Sequence, residues 1–248
     1  MGTGTFFPRP EVQRQAAAPA ADARQLVSFG FYRVDPAWRR LPDAARRSQG
    51  GDLLGAVNAF SKKLMVLTYS LVGLKAGVDF LIWSVGARLE DLQEMSAAVR
   101  ETAMGGYLSM PHAYLSMTKR STYVDRLDPD HPDKRRCITP FHSRYLFVYP
   151  FVKTTEWYQL PFDQRQAMMD EHITLGNKYK SVRIHTTYSF GLDDQEFVLA
   201  FETDKPQDFL DLVQEMRESK ARSYTLRDTP IFTCVAKPMT EILKEIGG

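Results

Sequence analysis

The alternation of apolar and polar positions divides the chain into two stretches with one shared order of elements. From Gln25 the pattern predicts a strand over 25–34, a helix over about 42–61, strands over 63–72 and 78–85, a helix over 89–103 and a strand over 112–123. Gly50-Gly51 is expected to interrupt the first helix, and Gly105-Gly106 to punctuate the run into the last strand. After a polar loop the order returns: strand 144–153, helix 161–178, strands 182–190 and 195–203, helix 205–220 and strand 229–236. Individual residues line up across the two stretches. Trp38-Arg-Arg-Leu41-Pro42 matches Trp157-Tyr-Gln-Leu160-Pro161 at an offset of 119, Gly73-Leu74 matches Gly191-Leu192 at 118, and Val99-Arg100-Glu101 matches Met216-Arg217-Glu218 at 117. So small a drift is what short loop deletions leave behind.

Two βαββαβ units imply an α+β chain of two fused ferredoxin-like halves, a barrel type with antiparallel sheets and helices outside. The expected organisation is a flexible arm over 1–24, a first unit over 25–123, a connecting loop over 124–143, a second unit over 144–240 and a tail over 241–248. Helices cover only one face of each sheet, so the two remaining faces are expected to bury each other. With 248 residues and 44% hydrophobic composition the chain can fill such a core.

Charge narrows the partners: a formal +2 gives no reason to expect nucleic acid. The arm, rich in Ala, Pro, Gly and Gln, has no apolar stretch of signal-peptide length, and no run approaches the ~20 apolar residues of a membrane span. Cys137 and Cys234 are the only cysteines, neither in metal spacing, and read as reduced thiols of a cytoplasmic protein.

Candidate chemistry gathers between Arg144 and Asp194. Tyr145 to Val152 is aromatic and β-branched, a buried strand, in which Pro150 calls for an edge or a bulge able to re-aim Tyr149. The helix opening at Pro161 carries His172 beside Asp170 and Glu171. A neutral imidazole there can bind iron through one nitrogen, and the same spacing equally suits a packed or surface histidine. In the first half Gly30 or Phe31 stands where Tyr149 would be, and the first helix has no His, so that half reads as scaffold. His112, His131 and His142 read as turn or surface residues, and Asp193 and Asp194 as turn residues bonding local backbone.

The ordered series Tyr149-Pro150, Lys153, Trp157-Tyr158, Leu160-Pro161, His172, then Gly191-Leu192-Asp193-Asp194 and the strand Phe197 to Thr203 resembles the chlorite dismutase family of haem proteins. Within it the series looks most like the branch that decarboxylates coproheme. The resemblance implies haem or iron coproporphyrin III held in the second half, between its sheet and its first helix, with His172 as the iron ligand. It makes Tyr149 the tyrosine that becomes a radical beside a reacting propionate, and Lys153 a base that engages a propionate. It places Trp157 near the pocket, where a packing role serves as well, and lets Met168 line the porphyrin or simply fill core. Arg135 or Arg136 would clamp another propionate as a bidentate donor.

Two positions depart from the family pattern. For the distal residue, counting back from Gly191 gives Ile184 and counting forward from His172 gives His185; the neighbouring Arg183 would point away unless a bulge intervenes. Where relatives place a glutamate near the proximal histidine, counting back from Pro230 gives Lys220. The activity implied is hydrogen peroxide-dependent conversion of coproheme to haem b, by a homo-oligomer, a pentamer by resemblance. The alternatives are a chlorite dismutase or haem peroxidase-like enzyme, and a non-catalytic haem-binding or assembly paralogue.

Overall fold

A computed structural model describes residues 24–127 and 137–248. The first half runs β1 (Leu26–Val34), α1 (Asp43–Asn58), β2 (Met65–Ser70), β3 (Phe80–Gly86), α2 (Leu89–Glu101) and β4 (Leu108–Met117). A short helix, α3 (Thr122–Leu127), begins the connection. The second half runs β5 (Tyr145–Lys153), α4 (Thr155–Gln159), α5 (Phe162–Gly176), β6 (Arg183–Tyr188), β7 (Phe197–Thr203), α6 (Pro206–Glu218), β8 (Thr225–Arg227) and β9 (Phe232–Ala236), and α7 (Met239–Glu245) ends the chain.

Each half has its strands in the same spatial order, β4-β1-β3-β2 in the first and β9-β5-β7-β6 in the second. The sheets do more than face each other. Their edges pair, β4 with β6 and β2 with β9, closing one barrel of eight antiparallel strands, with β8 added on β5. Closure removes the free edges that two separate sheets would expose. The inward residues of both halves make one core: Val27, Phe29, Phe31, Trp83 and Tyr114 against Leu146, Val148, Val198, Phe232 and Cys234. Alternation then sends the intervening residues outward, under the helices.

One seam is thin, a single paired position, Met117 with Tyr188. The turn after β6 reinforces it: Asp193 Oδ2 accepts the Leu115 N–H at 2.8 Å and Ser189 Oγ donates to the Leu115 carbonyl at 2.8 Å. Asp193 also accepts the Asp194 N–H, the local bond expected of it. Pro150 is accommodated because β9 pairs with β5 only from Tyr145 to Val148, leaving β7 as the sole neighbour at Pro150.

Several elements differ from the sequence pattern. The strand expected over 112–123 lies at 108–117, because a register shift opposite Phe31 and Arg33 absorbs Pro111. Gly50-Gly51 does not break α1, which is continuous; Gly50 is buried where α7 crosses, and a Cβ there would touch Leu243 at 3.5 Å. Most of the stretch expected to be a tail belongs to α7, whose Met239, Ile242 and Leu243 are buried with Trp38 and Leu53, as is Ile246 just after it. Among the described residues no helix is long and apolar enough to cross a membrane.

Candidate functional site

The outer face of the second sheet is an aromatic wall. Phe147 and Tyr149 of β5, Phe201 of β7 and Phe209 and Leu212 of α6 are buried together, with Tyr145, Phe151, Ile184, Leu199 and Ile231 partly buried around them. Helix α6 covers one end, its Phe209 stacked on Phe147 at 4.0 Å. Helix α5 does not finish the cover: none of its side chains joins this cluster. It packs instead on α3, on α6 and on the 3-10 turn Lys220–Tyr224. Tyr123 of α3 stacks on Phe162 at 5.7 Å, and Gln166 donates to the Tyr123 carbonyl at 3.1 Å. Helix α5 is thus tied to α3, α6 and the 3-10 turn, and its side chains do not contribute to the aromatic cluster.

His172 and Met168 are both half-buried on α5, and His172 Nδ1 is shielded from solvent. Tyr149 is buried in the wall, its ring stacked with Phe201 at 5.7 Å. Burial, with Asp228 nearby, raises its phenol pKa against the opposing pull of Arg217 and Arg222, so Tyr149 keeps its proton across the ordinary pH range. Lys153, at a register shift in β5, lies over the Trp157 ring at 4.3 Å and donates to the Ala221 carbonyl at 2.9 Å. Burial and Arg222 push its pKa down to about 8, with Glu196 pulling the other way. Trp157 is 3% exposed, between Tyr123 and Tyr224, so it packs the start of the helical segment and at the same time forms the shelf under Lys153.

The two candidates for the distal position separate cleanly. Ile184 pairs with Phe201 and belongs to the wall with Tyr149. His185 is the next residue along the strand and so faces the opposite way, into the barrel: its ring is 5.5 Å from Trp83, and its Nε2 lies 2.7 Å from Glu202 Oε2. Burial alone would raise the Glu202 carboxyl, but His185, the Phe141 N–H and His142 outweigh it and hold the carboxyl below its usual range. His185 thus lies off the aromatic wall. Arg183, on the same side as His185, lies over the Phe141 ring at 4.6 Å. Lys220 is exposed in its turn. Arg135 and Arg136 lie outside the described residues, as does His131.

Pattern reasoning missed a charged cluster beside Tyr149. Asp228 Oδ2 takes Arg217 Nη1 at 2.5 Å and Arg222 Nη1 at 2.9 Å. The two arginines follow the apolar stripe of α6, where basic residues look like ordinary solvated ends, and only the fold brings them to Tyr149. Glu196 was missed as well; its Oε2 accepts the Lys153 backbone N–H at 2.7 Å and the Tyr158 hydroxyl at 2.6 Å.

These features suit a flat apolar group with carboxylates at its edge. The wall offers aromatic surface, α5 an imidazole, and the rim near Tyr149 three cations against two carboxylates, Asp228 and Glu196. Among the described residues no group of three or more His, Cys, Asp or Glu side chains is arranged to hold a bare metal ion.

The sequence pattern of the family described as "Chlorite dismutase" matches residues 46–237. The coproheme decarboxylase of Mycolicibacterium smegmatis is 33% identical over 171 residues, which is 66% of this chain and 70% of that protein. A variant chlorite dismutase from Candidatus Nitrospira defluvii superposes with a TM-score of 0.83 at 28% identity, over 92% of this chain and 97% of that one. A heme-binding protein from Thermus thermophilus superposes with a TM-score of 0.81 at 25% identity, over 90% of this chain and 95% of that one.

Proposed function

The chain belongs to the chlorite dismutase family, and from that premise we propose that it is a coproheme decarboxylase, converting two propionates of iron coproporphyrin III to vinyl groups and so forming haem b. The observation that carries this reading is the pairing of Tyr149 with Ile184 on one wall. A buried, protonated phenol stands beside a cationic rim, and the distal position holds an apolar side chain rather than an arginine. Each propionate, with one hydrogen peroxide and one proton, gives one vinyl group, one carbon dioxide and two waters. Chlorite chemistry calls for a cation poised over an oxygen intermediate, and Arg183 points elsewhere.

His172 would hold the iron, and the bound iron porphyrin would supply the oxidising power drawn from peroxide. The remaining work falls to the chain. The aromatic wall orients the ring and excludes water. Lys153 and the arginines draw a propionate to the rim, by charge-assisted hydrogen bonds worth about 1.5–3 kcal/mol each. Tyr149 would give up its phenolic hydrogen to the first oxidising equivalent drawn from peroxide and take one from the propionate carbon nearest the ring; the second equivalent would then accept the remaining electron as carbon dioxide leaves and the vinyl group forms. Burial keeps that hydrogen in place until it is needed.

The test is His172→Ala, reconstituted with iron coproporphyrin. The fold is expected to survive and the porphyrin to bind more weakly, with an altered iron absorption spectrum that added imidazole partly restores. A spectrum identical to wild type would remove His172 as the ligand and with it the placement of Tyr149 and Lys153 around a porphyrin edge. Incubation of the wild type with coproheme and peroxide, followed by mass, is expected to show stepwise loss of two carboxyl groups. Oxygen release from chlorite would favour a dismutase instead, and an unchanged complex a binding protein.

A further inference from the structure

Glu196 brackets the end of β5 from the turn that precedes β7. Its backbone N–H donates to the Phe151 carbonyl at 3.2 Å, and its carboxylate accepts the N–H of Lys153, two residues on, at 2.7 Å. Between those contacts β5 shifts register and changes neighbour, from β7 to β8. The bracket therefore sits where Lys153 leaves the regular sheet. The Tyr158 hydroxyl donates to the same carboxylate oxygen at 2.6 Å, fixing Glu196 from the helical side.

We propose that Glu196 is the positioning residue for Lys153: its carboxylate, bonded to the Lys153 N–H and the Tyr158 hydroxyl, fixes the backbone from which Lys153 projects and places a negative charge at that end of β5. The inference deepens the carboxylate-binding role of Lys153 and rests on it. The groups around Lys153 are few. Phe151 and Trp157 present rings to it, Ala221 a carbonyl, Arg222 of the 3-10 turn a positive charge and Glu196 a negative one. Burial and Arg222 favour the neutral amine; the Ala221 carbonyl and the rings favour the cation, and among the described residues Glu196 supplies the negative charge that opposes Arg222. A propionate arriving at Lys153 would take over that task, so Glu196 matters most before the substrate is seated.

Glu196→Gln isolates the charge, because the amide oxygen still accepts from the Lys153 N–H and from Tyr158. The readout is the rate at which acetic anhydride acylates Lys153 at pH 7.5 in the full chain without porphyrin, followed by peptide mass spectrometry and normalised to the exposed Lys62. Only the neutral amine reacts. Glu196→Gln is expected to speed acylation about two- to threefold, since about a quarter of the amine is already neutral at pH 7.5, and Arg222→Gln to slow it by a similar factor, the scale of moving one nearby charge in a partly solvated site. Opposite shifts in the two variants support the assignment. An unchanged or slower Lys153 rate in Glu196→Gln overturns it, whatever the Arg222 variant does. A parallel arm adds iron coproporphyrin to the wild type. Absence of protection there would sink the role of Lys153 itself, and leaves the acylation comparison to decide Glu196 separately.

Discussion

The two halves share one strand order and differ in what lies under their first helices. At the offset that superposes Trp38 on Trp157, Tyr149 falls on Gly30, Lys153 on Val34 and His172 on Leu53. Val34 is 2% exposed and Leu53 fully buried, both in the packed layer between the first sheet and α1. At Gly30 a Cβ would meet the Tyr32 ring at 3.0 Å, so a neighbouring side chain already occupies that space. In the first half the helix seals the sheet with its own apolar side chains; in the second the corresponding helix contributes none to the wall. The lesson concerns how a repeat acquires chemistry. The first copy has the hydrophobic seal, and the second has a phenol, an ammonium and an imidazole at those positions, an exchange that under the proposed function is compensated when a ligand replaces the missing packing.

The largest expected effect tests the chemical side of that contrast. Tyr149→Phe keeps the ring stacked on Phe201 and should bind iron coproporphyrin as the wild type does, while product formation falls on the order of a thousandfold or more, as when a group touching the reacting atoms is removed. Tyr32→Phe, the nearest phenol in the first half, should leave turnover unchanged. Mass analysis of the porphyrin after peroxide addition checks both, and full turnover by Tyr149→Phe would dissolve the distinction between the halves. Next in size is Trp38→Ala. Trp38 is fully buried and donates from Nε1 to Gln49 at 3.0 Å, so its truncation should cost about 3–5 kcal/mol in chemical denaturation. A loss well below 1 kcal/mol would mean the first half is not the sealed scaffold that its packing describes.

Much of this is legible because repetition leaves traces at several levels at once. Trp-x-x-Leu-Pro appears twice, the strand and helix periods follow in the same order, and the second copy alone carries His172 and Tyr149. What escapes has physical reasons. Apolar residues at 239, 242 and 243 of α7, with 246 just beyond it, make a helical stripe that lies outside the repeat and so looks like a tail. Helix α3 follows a strand whose register shift around Pro111 hides where that strand ends. Choosing between Ile184 and His185 by counting cannot succeed, because one position along a strand reverses the face and loop lengths differ by that much. Arg217 and Arg222 pair with Asp228 only 11 and 6 residues away, but their approach to Tyr149, and that of Glu196 to Lys153, joins segments far apart in sequence, and no local pattern marks such a meeting.

Lys153→Ala comes third. Removing the ammonium from the rim should weaken iron coproporphyrin binding, or slow loss of the first carboxyl group, by about tenfold or more, the worth of one charge-assisted hydrogen bond in a partly dry site. Titration of the porphyrin absorption and single-turnover kinetics measure the two. The matching substitution in the first half, Val34→Ala, should alter stability and leave both unchanged, since Val34 is buried away from the wall. Equal effects on porphyrin binding at the two positions would place the ligand elsewhere.

The smallest effect is a pH dependence confined to the second half. Lys153 has a pKa of about 8 in the folded chain against an ordinary 10.5, so in the unliganded protein it passes from mostly cationic to mostly neutral as pH rises through 8. A bound carboxylate raises that pKa again, so affinity is greatest below pH 8 and falls above it, by about three- to tenfold between pH 7.5 and 9.5. Stability moves the other way. Between pH 8 and 10.5 the unfolded chain holds more protons at this residue than the folded one, so this contribution is fully present above 10.5 and is lost as pH falls through 8. Metal-free coproporphyrin isolates the binding term, because no hydroxide can then compete for iron. Lys153→Met should remove both slopes together, flattening the high-pH loss of affinity and the high-pH gain in stability relative to wild type. If the variant keeps the wild-type slope in binding, the titrating group is another residue and the cationic rim near Tyr149 does not depend on Lys153.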